Sequence, residues 1–182
     1  SFIARLLENI GSRSEVDQYL RYYGSTEPQK FAIVKVSGRV LETSRESLVS
    51  SFTFLHSVGL FPIIVLAARP QLARALGAAG LALDGARVPS DGLAIARGVF
   101  ESESIRLAEA LEEVGTRARP IHGGVFQASD RNGPVTGVST ASIVSAIRTK
   151  QLPILSPLGE TPDGQIVLFD SNAVVSPLAR TL

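Results

Sequence analysis

A single lysine stands inside a segment that otherwise predicts a buried β-strand. Lys35 belongs to "FAIVKVSG", residues 31–38, whose other strand positions are almost all apolar. Burying an unpaired ammonium there would be costly, so this lysine either reaches solvent at the strand end or meets an anion. Ser37 and Gly38 follow directly, and a glycine turn lets backbone approach a ligand. A solvent-exposed edge lysine and a phosphate site are therefore the two interpretations.

A second strand runs directly into a turn at "IIVLAARPQ", residues 63–71. Its aliphatic run is typical of a strand covered on both faces, and ligands of parallel α/β sheets bind at the turns that follow such strands. A phosphate- or acyl-binding turn would need glycines here, but the sequence supplies Ala67, Ala68 and Arg69. The turn is either a binding loop that has lost its function or one that never had it.

Other catalytic and metal-binding signatures are missing from the sequence. The chain has no cysteine, and its two histidines, His56 and His122, are too few for a metal cage. No dinucleotide-binding glycine pattern, P-loop or nucleophile elbow occurs. His56 lies among apolar residues of a predicted helix and is interpreted as structural. His122 follows a strand end in "PIHGGVF", where ligand contact is conceivable, but a structural role is favoured. No metal site is expected.

Composition indicates an ordinary globular domain. The chain has 182 residues, 45% of them hydrophobic, and a formal net charge of +1. Neither sign of charge clusters, so no nucleic-acid partner is expected, and the lack of an 18-residue apolar run predicts no membrane partner. The chain opens at Ser1 without a signal-peptide pattern, and we expect a processed or excised piece of a longer protein.

Strands and helices alternate along most of the chain. Two predicted helices form an N-terminal arm, residues 1–24, ahead of the main domain, residues 25–182. The next elements follow from apolar periodicity and from glycines after helices: strands at 31–38, 61–66, 152–156 and 165–169, and helices at 43–58, 71–79, 92–114, 140–148 and from about 172. Thr43 and Glu46 predict a capping box.

Two hairpins are predicted within this alternation, one at Asn132-Gly133 with a type I′ turn and one at Asp163-Gly164. The fold class is α/β: a three-layer, doubly wound, mostly parallel sheet with inserted β-hairpins, preceded by a helical arm.

Several segments together resemble a known family, the amino-acid kinase (carbamate kinase-like) fold and its N-acetylglutamate kinase and synthase branch. They occur in the family's order and spacing, and they are "FAIVKVSG", "GLFPIIVLAARPQL", "DGARVPSD", "RARPIHGGVF", "LPILSPLGETPDGQI" and "SNAVVSPLA". The resemblance implies the lobe that holds acetylglutamate, with an ATP lobe expected after residue 182.

Three site positions of the family are kept or nearly kept. By resemblance, Lys35 falls on the lysine that stabilises the transferring phosphoryl group and Gly38 on the second glycine of the K-x-G-G turn, while Ser37 replaces the first. Arg87 falls on the arginine that pairs with the substrate carboxylate, a bidentate role that suits arginine.

Other site positions depart from the family. The family's H-G-G-G-P or H-G-A-G-P turn is here "LAARP", so Ala67, Ala68 and Arg69 occupy a turn whose backbone should approach the substrate, and Leu66 replaces the histidine. Each added Cβ would crowd that approach.

The family's N-x-N-A-D run aligns with residues 168–172. Leu168 replaces the first asparagine, and Asn172 replaces the aspartate that organises the catalytic lysines. On this basis Lys35 and Asn172 are interpreted as vestiges of a catalytic site, and Asn172 as the N-cap of the last helix.

These departures give the main functional hypothesis: a degenerate, non-catalytic kinase-like domain of a mitochondrial N-acetylglutamate synthase, serving arginine feedback and assembly. A downstream acetyltransferase domain would use acetyl-CoA, and this segment would hold no cofactor. The alternative is an active N-acetylglutamate kinase that uses ATP and magnesium, and a third possibility is a ligand-binding module that captures carboxylates through Arg87.

The resemblance also implies partners and a location. The arm is expected either to pack on its own domain or to join subunits, and its apolar stripe favours a homo-oligomer. The cognate acetylglutamate kinase is a further possible partner, arginine is a possible effector, and the mitochondrial matrix is the expected location.

Overall fold

The computed structural model describes residues 32–83 and 88–182. The predicted arm, residues 1–24, and Arg87 lie outside the described residues. Eight strands occupy Ile33–Ser37 (β1), Ile63–Ala67 (β2), Ala118–Ile121 (β3), Phe126–Ala128 (β4), Val135–Val138 (β5), Leu152–Leu155 (β6), Leu158–Glu160 (β7) and Ile166–Leu168 (β8). The α-helices occupy Gly38–Thr43 (α1), Arg45–Ser57 (α2), Arg69–Ala78 (α3), Leu93–Glu113 (α4), Ala141–Arg148 (α5) and Ser171–Thr181 (α6).

The main sheet is parallel throughout, with strand order β1-β2-β6-β3. Successive side chains of a strand point to opposite faces of its sheet. In β2, Ile64 and Leu66 enter one apolar core, while Ile63 and Val65 enter the other. All four side chains are fully buried. Helices therefore cover both faces of this sheet, which confirms the predicted three-layer α/β fold.

Each core is closed by a different set of helices. The first contains apolar side chains of α2, α3 and α4, such as Phe52, Leu72 and Leu107. The second contains those of α5 and α6, such as Ile143 and Val174. This division explains why the βα alternation in the sequence produces helices on both sides of one sheet.

Three glycines end helices as their positions predict. Gly59, Gly80 and Gly115 have φ of 83°, 72° and 84°. This left-handed conformation is strained for other residues and is the usual end of a helix. After each glycine the backbone N–H bonds to a carbonyl five residues earlier, as Leu60 does to Leu55. The predicted ends of α2, α3 and α4 are therefore confirmed.

The start of α2 differs from the prediction. Residues Gly38–Thr43 form the short helix α1, and Thr43 is its last residue. The Thr43 hydroxyl donates to the Arg39 carbonyl, and Ser44 precedes α2 without a side-chain cap. The Thr43 to Glu46 capping box is therefore wrong, because the preceding turn is already helical and engages the threonine.

Both predicted hairpins form, within a second sheet of order β5-β4-β7-β8. The type I′ turn at Asn132-Gly133 is wrong, because among the described non-glycine residues only Lys150 has a positive φ. Instead, the Asn132 N–H bonds to the Asp130 carboxylate and the Gly133 N–H to the Asp130 carbonyl. The second hairpin turns through Gly164, with φ of 81°.

Gly38 allows the start of α1 to contact the start of α3. A Cβ at this position would lie 2.2 Å from Gln71 Oε1 and 2.8 Å from Pro70 Cδ. Gln71 is itself buried, and its amide donates to the Gly38 carbonyl at 2.8 Å. The glycine therefore positions the turn that follows β1 against the turn that follows β2.

We expect Gly38→Ala to lower the free energy of unfolding by about 1–3 kcal/mol, because Pro70 cannot give way as a flexible side chain could. Gly98→Ala is the matched control, since Gly98 lies in α4 with no heavy atom within 4 Å of its added Cβ. That variant should be neutral or slightly stabilising. Urea unfolding of both variants checks this, and equal stability would contradict the packing role of Gly38.

Candidate active site

The carboxyl ends of β1 and β2 lie side by side. Their parallel register pairs Lys35 with Val65 and Ser37 with Ala67. The two turns in which the sequence suggests ligand chemistry are thus neighbours at the carboxyl-terminal end of the parallel strands. Parallel α/β proteins bind their ligands at this end.

Lys35 is exposed on edge strand β1, and its ammonium is held by a neutral partner. Its Nζ donates to Asn172 Oδ1 at 2.5 Å, a contact between residues 137 positions apart in the chain. No ion pair to Lys35 occurs among the described residues. The amide thus fixes the ammonium position without neutralising its charge. The structure brings together the two residues that were interpreted as vestiges of a catalytic site.

Asp170, rather than Asn172, caps helix α6. The Asp170 side chain accepts the Asn172 N–H at 2.7 Å, and α6 begins at Ser171. The prediction that Asn172 is the N-cap is therefore wrong. A carboxylate already satisfies the positive end of this helix, so the Asn172 side chain is left to hold Lys35.

The alanines of the turn after β2 point in different directions. Ala68 is fully buried in the first core, and its φ of −80° is one that alanine adopts without strain. Leu66 is also fully buried in that core. The added Cβ of Ala68 therefore does not crowd a ligand, whereas Ala67 and the exposed Arg69 line a small cavity described below.

Two cavities flank the chain where it leaves β8. The larger, which we call the hairpin cavity, has a volume of about 240 Å³. It lies between the loop that joins β4 to β5, residues 131–134, and residues 166–170 with Ala173, and Val88 and Leu93 complete its wall. Its size suits a small organic acid.

The smaller, which we call the turn cavity, has a volume of about 50 Å³ and lies beside Ala67, Arg69, Pro157 and Ser171. Residues 168–170 line both cavities. Leu168 thus presents an apolar surface to both, and Asp170 is a carboxylate common to them. Asn172, which holds Lys35, follows Asp170 by two residues. The Lys35 contact is therefore close in sequence to the wall that the two cavities share.

The two histidines occupy structural positions. His56 Nε2 lies 3.1 Å from the Lys150 carbonyl, and its ring packs edge-on against Phe61. His122 Nδ1 lies 3.4 Å from the hydroxyls of two buried serines, Ser104 and Ser156. It thereby links α4 to the ends of β3 and β6. Neither histidine lines the hairpin cavity or the turn cavity.

Two polar residues of the cavity were not anticipated from the sequence. Asp170 was considered only as part of an aligned run, and Arg131 was considered only as part of a turn. The signal for Asp170 was available, because an aspartate directly before a helix is a typical N-cap. Nothing local in the sequence shows that Arg131 reaches Ser90, to which it donates at 2.7 Å.

We expect Asp170→Ala to lower the free energy of unfolding by about 1 kcal/mol, since the first turn of α6 loses its cap. Asp170→Asn should retain most of that stability, because its amide oxygen can accept the same N–H. Thermal unfolding of the two variants distinguishes the cap from the charge. An equal loss in both would show that charge rather than capping stabilises the helix.

Burial lowers the pKa of His122 below its ordinary value of 6.5, and Glu101 opposes this shift. A folded-state pKa below the unfolded one means that, as pH falls through about 6.5, the unfolded chain binds a proton that the native state resists. Stability should thus be complete above pH 6.5 and decline as the pH falls towards the folded pKa. Urea unfolding across this range should show a smaller decline for His122→Asn than for the unsubstituted protein. Equal declines would contradict this assignment.

The parallel main sheet with helices on both faces defines a three-layer α/β protein, and two cavities flank the chain where it leaves β8. Residues 30–182 match the Amino acid kinase family. The chain belongs to this family, which confirms the resemblance noted in the sequence.

Two curated relatives sharpen this assignment. The chain is 44% identical to "Protein arg11, mitochondrial" of Schizosaccharomyces pombe, over 99% of the chain and 22% of that protein. It is 39% identical to an acetylglutamate kinase of Xanthomonas campestris, over 95% of the chain and 43% of that protein. The chain therefore spans about a fifth of the first and less than half of the second.

A solved structure of smu.665 from Streptococcus mutans shares the fold at a TM-score of 0.75 and 17% identity, covering 85% of this chain and 69% of that one.

The hypothesis of a degenerate, non-catalytic domain is wrong. It is overturned by the relative named acetylglutamate kinase, which matches nearly the whole chain. One of its physical premises was that each lost glycine crowds the substrate, but Ala68 directs its Cβ into the core and Leu66 lies outside the lining of both cavities. The expected mitochondrial location agrees with the name of the fungal relative.

Within residues 32–83 and 88–182, no three side chains of the metal-binding acidic, histidine or cysteine type come together as a metal site. No helix in the same part of the chain is long and apolar enough to cross a membrane.

Proposed function

We propose that this chain is the acid-binding lobe of an N-acetylglutamate kinase, which transfers the γ-phosphoryl group of ATP to the γ-carboxylate of N-acetylglutamate. The observation that carries the proposal is the Lys35 ammonium, which Asn172 Oδ1 holds without an ion pair among the described residues. Asn172 follows by two residues Asp170, which lines the hairpin cavity. The identity to a relative named acetylglutamate kinase supports the substrate.

The proposed reaction requires little proton transfer by the protein. A γ-carboxylate is ionised at neutral pH, so it attacks the γ-phosphorus without a general base. A carboxylate O–P bond forms, the bond to the bridging oxygen breaks, and ADP leaves. Catalysis of such a transfer rests on positioning and on stabilising charge at the phosphoryl oxygens.

Each residue of the site has a role under this proposal. The Lys35 ammonium neutralises charge on the transferring group, and Asn172 fixes it without cancelling that charge. Backbone at Gly38 and at Ala67 borders the space for the phosphoryl group. Arg87 remains the predicted carboxylate partner, and it lies outside the described residues. Leu168 supplies apolar contact along the ligand chain.

ATP and magnesium are proposed for the whole protein, as are a mitochondrial location and a role in arginine biosynthesis. ATP would present its γ-phosphoryl group to Lys35, with the metal ion carried by the nucleotide phosphates. A homo-oligomer through the arm, the cognate kinase as a partner and arginine as an effector stay predictions.

Calorimetry with N-acetyl-L-glutamate and N-acetyl-L-glutamine tests the proposal, because the second ligand lacks the γ-carboxylate. The unsubstituted chain should bind the first with a dissociation constant of about 1 mM or lower, and the second more weakly. Lys35→Gln should weaken binding of the first about tenfold, since a charge-assisted contact is lost.

Lys150→Gln is the matched control, because Lys150 precedes β6 and so lies at the amino-terminal end of the parallel strands, opposite the candidate site. It should leave both affinities unchanged. Absence of binding, or equal affinity for the two ligands, would contradict the proposed substrate.

A further inference from the structure

A buried side-chain amide joins the two turns at the carboxyl-terminal end of the parallel strands. Gln71 lies in the first turn of α3, shortly after β2 ends at Ala67. Its side chain crosses to the turn that follows β1, where Nε2 donates to the Gly38 carbonyl at 2.8 Å. Gln71 is only 8% exposed, so little water competes for this hydrogen bond. The amide therefore links two segments that are 33 positions apart in the chain.

The amide engages this turn through its donor alone. Gln71 Oε1 is buried and accepts no hydrogen bond among the described residues. It lies against Gly38, since a Cβ added there would be 2.2 Å from this oxygen. An acceptor in place of the Nε2 amine would face the Gly38 carbonyl oxygen without a proton between them. The contact thus depends on a donor at this one position.

The hydrogen bond lies directly past the strand positions that present Lys35. In the parallel register Lys35 pairs with Val65 and Ser37 with Ala67, and Gly38 follows Ser37. Alternate side chains of a strand share a face, and those of Lys35 and Ser37 are both exposed. The Gln71 bond therefore fixes the separation of the two turns immediately after the last register pair of β1 and β2.

A second contact joins α1 to α3, but it lies on the surface. The Arg74 guanidinium pairs with the Glu42 carboxylate, and both side chains are exposed. Ion pairs between exposed side chains contribute little to stability. Because this pair and the buried amide connect the same two helices, removing each in turn separates general contact between α1 and α3 from the position of the Gly38 backbone.

We propose that Gln71 is a positioning residue for phosphoryl transfer: by holding the Gly38 carbonyl, it sets the backbone that borders the phosphoryl group relative to the Lys35 ammonium. The inference rests on the proposed function and adds to it a residue that lines neither cavity. A displacement of about 1 Å in a positioned group can cost about a hundredfold in rate. The loss falls on kcat, because the turn would act on the transferring group rather than on the bound acid.

The experiment measures kcat and KM for phosphoryl transfer to N-acetyl-L-glutamate by the full-length protein with ATP and magnesium. Gln71→Met keeps the side-chain length and removes the donor. It should lower kcat about tenfold or more and change KM for the acid less than about twofold. Arg74→Met is the matched control, since it removes the surface contact between the same two helices. Its kcat should stay within about twofold of the unsubstituted value.

Gln71→Glu distinguishes the donor from the shape of the side chain. An ionised carboxylate only accepts hydrogen bonds, whereas a protonated carboxyl group can donate to Gly38 as the amide does. Burial raises the pKa of a carboxyl group, so the donating form of this variant increases as the pH falls. Its kcat, relative to that of the unsubstituted protein at the same pH, should rise about threefold or more between about pH 8.5 and about pH 6. The corresponding ratio for Gln71→Met should stay constant.

The outcomes separate the two proposals. Absence of phosphoryl transfer by the unsubstituted full-length protein overturns the proposed function, and this inference with it. If that protein is active, an unchanged kcat in Gln71→Met overturns this inference alone, as does an equal loss in Arg74→Met. A raised KM with an unchanged kcat also overturns it, because Gln71 would then act on acid binding. Should thermal unfolding show that Gln71→Met does not fold, Gln71→Glu decides, and a ratio that does not rise as the pH falls overturns the inference.

Discussion

The burial of β2 on both faces is the constraint on which the site depends. Four consecutive side chains, Ile63 to Leu66, are fully buried and alternate between two apolar cores. Charged or polar ligand-binding side chains along such a strand would be buried without partners, so a binding site can form only where the strand ends. The neighbouring strands β1 and β6 run parallel to β2, so their carboxyl ends lie at the same end of the sheet. The turns that follow these strands are therefore neighbours.

At this carboxyl-terminal end of the sheet, two side chains of the segment that follows β8 have different electrostatic roles. Asp170 caps α6, and Asn172 fixes Lys35. The arrangement places the carboxylate on the helix end and a neutral amide on the ammonium, so the cation stays available to an anionic ligand. The reverse assignment would pair Lys35 with a carboxylate and reduce the positive potential offered to a phosphoryl group.

The sequence predicts the elements of this fold better than the contacts between them. The strands β1 and β2 and the glycine-terminated helices follow from apolar periodicity and from the conformational freedom of Gly59, Gly80 and Gly115. The helix α1 was missed because six residues are too few for a helical period to show. The Arg131 contact with Ser90 joins residues 41 positions apart, and only the folded chain brings them together.

The turn after β2 shows why a lost glycine does not by itself imply a lost site. Alanine in place of glycine blocks backbone approach only if its Cβ points at the ligand or if the position requires a positive φ. Ala68 meets neither condition, since its φ is −80° and its methyl group lies in the core. Ala67 and Arg69 do line the turn cavity, whose volume is about 50 Å³. Neither residue lines the larger hairpin cavity of about 240 Å³, so these two substitutions leave its wall unchanged.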